Sequence, residues 1–217
     1  MEYDQHTSRC KMEVIHIFIQ EERNLWLNKK YTAAPRKYDY LKVGKLTDTF
    51  VVLDFETTGF RPLENEIIQY GLVEYENGRV VNEKSQYIKP DFGIPRKITS
   101  ITGISDSTVR NSPGIEEVIE ELYCSLKDKT IVAHNAAFDM KFLLQNLAEA
   151  NIEHGRFGVI DTLSFARRYI RNVPNHKLPT LKKVFDLDSG HSHDALNDCR
   201  ATGKLALLLY EKSLKEF

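Results

Sequence analysis

Three short segments concentrate the side chains able to do chemistry. The first is Asp54-Phe55-Glu56-Thr57-Thr58-Gly59, which follows the apolar run Thr49-Phe50-Val51-Val52-Leu53. On an extended backbone, residues two apart point to the same side, so Asp54 and Glu56 present two carboxylates together at a strand end. A hard divalent ion such as Mg2+ or Mn2+ stabilises such a pair most readily; an exposed acidic strand edge is the plainer alternative. The second segment is Ala133-His134-Asn135-Ala136-Ala137-Phe138-Asp139. Here a strand runs out through His134 and Asn135, and Asp139 falls in the first turn of a helix, where compensation of the helix dipole would also account for it. The third is His191-Ser192-His193-Asp194-Ala195-Leu196-Asn197-Asp198. His193 sits on a loop and Asp198 on the opening turns of the last helix, with Asp194 as a natural cap; two solvent histidines beside a capped helix is the ordinary account of this pattern.

These residues need elements to position them. The run at 49–53 reads as a buried strand. Ile67 to Glu74 and Arg79 to Ile88 read as strands joined across Asn77-Gly78, the strongest short hairpin signal. The region from Pro95 to Asn111 reads as turn-rich, and Ser112-Pro113-Gly114 leads into a helix carried by Ile115, Val118, Ile119, Leu122 and Leu126. The chain then alternates: strand at Thr130–Ala133, helix at 137–150, strand at 158–160, helix at 163–170, a short helix at 179–185 and a long one from Ala195 to about Lys215. Three antiparallel strands followed by β-α-β-α predict an α/β fold with a mixed five-stranded sheet and flanking helices. Sites in such sheets gather at strand ends near the point where strand order reverses.

At 217 residues the chain accommodates one substantial domain with a short appendage. The texture changes near residue 46, so residues 1–46 are read as an N-terminal extension and 47–217 as the domain. Between Lys29 and Lys45 six basic residues face one acid, with Tyr31, Tyr38 and Tyr40 interleaved. That stretch suits a solvated linker, and also a surface touching a nucleic-acid backbone. The formal charge of −1, from 30 basic and 31 acidic residues, excludes a general polycation that coats duplexes. The cysteines, Cys10, Cys124 and Cys199, lack paired metal-ligand spacing and disulfide density, which fits a reducing, cytoplasmic setting. The apolar run 14–19 is too short for a membrane span and lacks a signal-peptide cleavage site.

D-F-E-T-T-G, H-N-x-x-F-D and H-x-A-x-x-D, in this order, resemble the DEDDh 3′→5′ exonucleases of the ribonuclease H-like fold. Among these the likeness is to the proofreading epsilon subunit of bacterial DNA polymerase III and to the exonuclease domain of the Gram-positive replicative polymerase. The resemblance covers about residues 47–215 and includes Ile101-Thr102-Gly103-Ile104, Asp161-Thr162 and Leu178-Pro179-Thr180-Leu181. It implies that Asp54, Glu56, Asp139 and Asp198 bind two divalent ions, Mg2+ or Mn2+, and that His193 is the general base. It further implies that Thr57, Thr58, Thr102, Gly103, Ile104, His134, Asn135 and Phe138 surround the terminal nucleotide. The implied activity is release of nucleoside 5′-monophosphates from a single-stranded 3′ end, with DNA favoured over RNA. An RNA-trimming enzyme of the same family and a silent nucleic-acid- or polymerase-binding module are the alternatives. The segment 1–46 is then a candidate docking element for a polymerase or for a second copy of the chain.

Overall fold

A computed structural model describes residues 40–187, 190 and 193–215, all within the unit Arg36–Phe217. The sheet has six strands: β1 (Tyr40–Lys42), β2 (Phe50–Thr57), β3 (Ile67–Glu76), β4 (Arg79–Tyr87), β5 (Thr130–Ala133) and β6 (Phe157–Asp161). Their spatial order is β1-β6-β5-β2-β3-β4. The β2-β3-β4 meander is antiparallel, and β5, β6 and β1 add parallel strands on the other side of β2. Asn77 and Gly78 both take positive φ, as the tight β3–β4 turn requires.

The fold is the expected ribonuclease H-like α/β arrangement with one strand more than predicted. The extra strand, β1, lies upstream of the expected boundary at residue 46. It is three residues long and mostly exposed, so no apolar alternation marks it in the sequence; its partner β6 supplies the ladder. A second difference lies at 95–111, where two short helices, α1 (Arg96–Thr102) and α2 (Asp106–Val109), replace the expected turns. Neither is long enough to show a helical stripe, and α1 buries no residue, so periodicity had nothing to register.

Alternation along β2 divides the core. Val51, Leu53 and Phe55 face α3 (Ile115–Leu126) and α4 (Ala137–Glu149), while Phe50 and Val52 face α5 (Thr162–Tyr169), α6 (Leu178–Val184) and α7 (Ala195–Leu214). Asp54 and Glu56 continue the second face, toward α7. The strand runs on through both acids to Thr57, beyond the point where its apolar run ends. On β3, Gln69 and Gly71 stand opposite Glu56 and Asp54 in register.

Gly71 sets how closely α7 approaches the sheet. A Cβ there would lie 2.3 Å from the Ala195 carbonyl oxygen and 2.6 Å from the Leu196 nitrogen. Only a residue without a side chain lets the first turn of α7, which carries Asp198, rest on β3. Gly71→Ala should therefore destabilise the protein by about 1–3 kcal/mol. Gly44→Ala, at a site with nothing within 4 Å, should leave stability near wild type. Denaturant midpoints of the two variants check this, and equal midpoints would refute it.

Candidate active site

Four acids from three elements converge at the carboxyl end of β2. Asp54 and Glu56 come from the strand, Asp139 from the first turn of α4, and Asp198 from the first turn of α7. Donor atoms of Glu56, His193 and Asp198 all lie within 4.8 Å of one another. The Asp139 carboxylate accepts the Phe55 backbone N–H at 3.2 Å, which ties α4 to the strand between the two acids of β2.

The electrostatics of the cluster follow from crowding and burial. Burial pushes the Asp54 carboxyl well above the usual carboxylate range, and Asp139, Glu56 and Asp198 push it further the same way. Glu56 is raised to about 8, first by burial and then by Asp198 and Asp194. Asp139 also reaches about 8, because burial outweighs the Phe55 N–H that favours its charged form. The adjacent Cys199 is fully buried, and burial together with the acids raises its thiol so that it is no nucleophile. A set of hard oxygen donors that resists ionising by itself fits a divalent cation, whose charge would offset their repulsion. Asp54, Glu56, Asp139 and Asp198 are the residues suited to hold it.

The entry to α7 is fixed from the sheet. Asp194 caps the helix by accepting the Asn197 N–H at 3.0 Å, as its position in the sequence suggested. Gln69, buried on β3, donates its amide to Asp194 at 3.2 Å and accepts the Ala195 N–H at 3.2 Å. His193 is exposed, with φ of 67°, a left-handed conformation rarely adopted by a residue with a side chain. Its N–H donates to Asp198 Oδ2 at 3.1 Å, which holds that conformation. His191 lies outside the described residues, as do residues 1–39, most of the segment read as a docking element.

Two scaffold residues were not predicted to touch the site. Lys182 of α6, 4% exposed, donates to Asp198 Oδ1 at 3.1 Å, so a buried cation faces one of the four acids. No pattern in the sequence marks Lys182, since its neighbour Lys183 is equally basic. Phe60, 79% exposed, meets Phe138 edge-on at 6.4 Å, and Phe138 packs on Phe142. Its position directly after Gly59 was the available signal.

The eight residues expected around a terminal nucleotide divide into two groups. Asn135 is exposed and Phe138 half-buried beside Asp139, and Gly103 closes α1 in a left-handed turn with open space around it. The others are committed to the scaffold. Thr57 Oγ1 donates to the Gly59 carbonyl, Thr58 Oγ1 accepts the Glu66 N–H, and Thr102 Oγ1 accepts the Ile104 N–H. Ile104 is buried with Ile68, Ile94 and Val109. His134 bonds through Nε2 to the His176 carbonyl at 2.9 Å and through Nδ1 to Thr162 Oγ1 at 3.0 Å. Burial lowers its pKa, so the ring is neutral and structural. Asp161 Oδ1 accepts N–H groups from Asn135, Ala136 and Leu163, fixing the turn that delivers Asp139.

Such a cluster, on a sheet of this topology, defines a nuclease of the ribonuclease H-like fold. The chain belongs to the exonuclease family, whose model matches residues 51–206. It is 34% identical over 171 residues to a PolC-type DNA polymerase III of Halalkalibacterium halodurans, and 35% identical over 182 residues to that of Streptococcus pneumoniae. These matches cover 79% and 84% of this chain but 12% of each relative, so the chain spans about an eighth of their length. Exonuclease X in complex with 5′-overhanging duplex DNA superposes with a TM-score of 0.59 at 27% identity, over 77% of this chain and 93% of that one. Escherichia coli exonuclease I with a dT13 oligonucleotide shares the fold, with a TM-score of 0.68 at 21% identity, over 79% and 43% of the two chains.

The raised carboxyls make stability depend on pH. In the unfolded chain Glu56 and Asp139 titrate near about 4, whereas in the folded protein they hold their protons to about 8. The folded state thus binds more protons between those values, and its stability is lost as pH rises through about 8. Melting temperature in EDTA should fall between about pH 5 and 8.5, and Mg2+ or Mn2+ should raise it most at the alkaline end. A melting temperature that rises with pH in EDTA would contradict this. Lys182→Met removes the cation facing Asp198, and breaking such a pair costs about 3–5 kcal/mol. Denaturant unfolding in EDTA should show most of that loss, and saturating Mg2+ should recover part of it.

Proposed function

We propose that this chain is a 3′→5′ exonuclease that hydrolyses the terminal phosphodiester of a DNA strand and releases nucleoside 5′-monophosphates. The observation carrying the reading is the convergence of four carboxylates and His193 on one point of the sheet, with donor atoms of Glu56, His193 and Asp198 within 4.8 Å. Two divalent ions, Mg2+ or Mn2+, held by such acids would supply the positive charge that stabilises phosphodiester hydrolysis. Asp54, Glu56, Asp139 and Asp198 would hold them. His193, on the exposed rim, accepts the proton of the attacking water. Because water attacks phosphorus and the 3′ oxygen leaves, the phosphate stays on the 5′ side of the released nucleotide. Gly103, Asn135 and Phe138 border the terminal nucleotide, with Phe60 as an exposed face on which a base stacks. Thr57, Thr58, Thr102, Ile104 and His134 shape that wall from behind.

DNA is preferred to RNA as the substrate because the relatives matched are DNA polymerases and the exonuclease X complex holds DNA. The same relatives support proofreading or repair beside a polymerase, with residues 1–46 as the candidate docking segment. Cytoplasmic operation fits the free Cys124 and Cys199. Among the described residues, no helix is long and apolar enough to cross a membrane.

Purified protein with Mg2+ or Mn2+ should shorten 5′-labelled DNA from the 3′ end one nucleotide at a time, and leave circular single strands and 3′-phosphorylated ends intact. Asp54→Asn should abolish turnover, and His193→Ala should slow it by about 10²–10⁴-fold with little change in affinity. His191→Ala should retain activity. Rapid cutting of circles, cleavage that survives exhaustive chelation, or faster trimming of the matched RNA would each overturn the corresponding part of the reading.

A further inference from the structure

A second feature adjoins the acid cluster without belonging to it. Between Thr162 and Phe185 the chain carries five basic residues besides the buried Lys182, namely Arg167, Arg168, Arg171, Lys177 and Lys183, and no acid. Part of this stretch walls a cavity of about 520 Å³ with Asn135, Leu163, Arg167, Asn175, His176 and Lys177 among its lining residues. Among the described residues, no carboxylate lines it.

The donors around the cavity are available. Arg167 and Lys177 are exposed, and neither makes an ion pair among the described residues. Asn175 Oδ1 accepts from the Lys177 N–H and from Thr180 Oγ1, both at 2.9 Å, which leaves its amide nitrogen as a donor. Asn135 is held at φ of 70° with its N–H on Asp161, so its side chain stays on the surface four residues ahead of Asp139. The far wall is anchored to the site: His134 at the end of β5 grips the His176 carbonyl, and His176 grips the Ile170 carbonyl at 3.1 Å. The cavity is therefore a fixed extension of the end of β5, which leads into α4 and Asp139.

Two cations unpaired among the described residues, a carboxamide donor and no described acid suit a chain of phosphodiesters. A single strand whose 3′ end lies among the acids must leave the site past some surface, and the acids repel its phosphates elsewhere. We propose that this cavity, which begins at Asn135 beside the terminal nucleotide, binds the backbone phosphates of the strand upstream of the scissile bond, with Arg167 and Lys177 as charged contacts and Asn175 as a hydrogen-bond donor. The contacts are to backbone, so they carry no base preference. The inference rests on the exonuclease reading for the direction of the strand.

The test is the double variant Arg167→Ala/Lys177→Ala, assayed on single-stranded DNA of 2 to about 20 nucleotides; both side chains are exposed, so the fold is retained and thermal unfolding verifies it. KM for the long strand should rise about tenfold or more while kcat holds. The effect should vanish on a dinucleotide, which ends short of the cavity. Binding of the 20-nucleotide strand in EDTA, read by fluorescence anisotropy, should weaken in parallel, and its salt dependence should flatten by about 0.7 per lost contact. Inorganic phosphate and a nucleoside 5′-monophosphate serve as competitors: if either binds as tightly as the long strand, the cavity is a product site and the proposal fails. Unchanged KM and salt slope would also overturn it, as would equal loss on the dinucleotide. Weakened binding by a protein that cleaves nothing would uphold the cavity and sink the exonuclease reading instead.

Discussion

Carboxylates brought together in a half-buried place repel one another and lose solvation, and most of what surrounds this site exists to hold them there. Asp54, Glu56, Asp139 and Asp198 come from β2, α4 and α7, and each is fixed by backbone rather than by its own preference. The strand ladder carries the first two. The Phe55 N–H and the Asp161 carboxylate hold the start of α4. Gln69, Asp194 and the bare backbone at Gly71 hold the start of α7. Burial, with the remaining repulsion added, appears as Glu56 and Asp139 carboxyls that keep their protons to about 8, and the buried Lys182 faces Asp198.

The same constraint connects structure to chemistry. A site whose acids cannot all ionise unaided is one that gains most from bound cations. The acid cluster and the cavity lined by Arg167 and Lys177 are neighbours. They are joined physically, because His134 and Asp161 brace both the turn before Asp139 and the loop that ends at Lys177.

Much of this was legible before any coordinates. The Asn77-Gly78 hairpin and the alternating strands and helices after residue 115 follow local rules of pairing and periodicity, whereas the five acid and histidine positions were singled out by the resemblance of three ordered motifs. The misses share a physical cause, which is the absence of a local signal. A three-residue edge strand such as β1 and helices of seven and four residues such as α1 and α2 bury too little to impose a pattern. They are stabilised by neighbours distant in sequence, as β1 is by β6.

The order of residues alone determined which groups could take part: two carboxylates two apart on a strand, an aspartate at one helix start, and an aspartate five residues after a histidine at another. Those are short-range facts, written in side-chain periodicity and capping chemistry. Tertiary structure decided which of the expected groups face the cleft and which are consumed by the scaffold. Thr57, Thr58, Thr102 and His134 carry the right chemistry but spend it on backbone partners, and Ile104 is covered. Lys182 and Gln69 carry no motif yet touch the acids or their cap, because bonds spanning 16 and 125 residues depend on packing that no local pattern encodes.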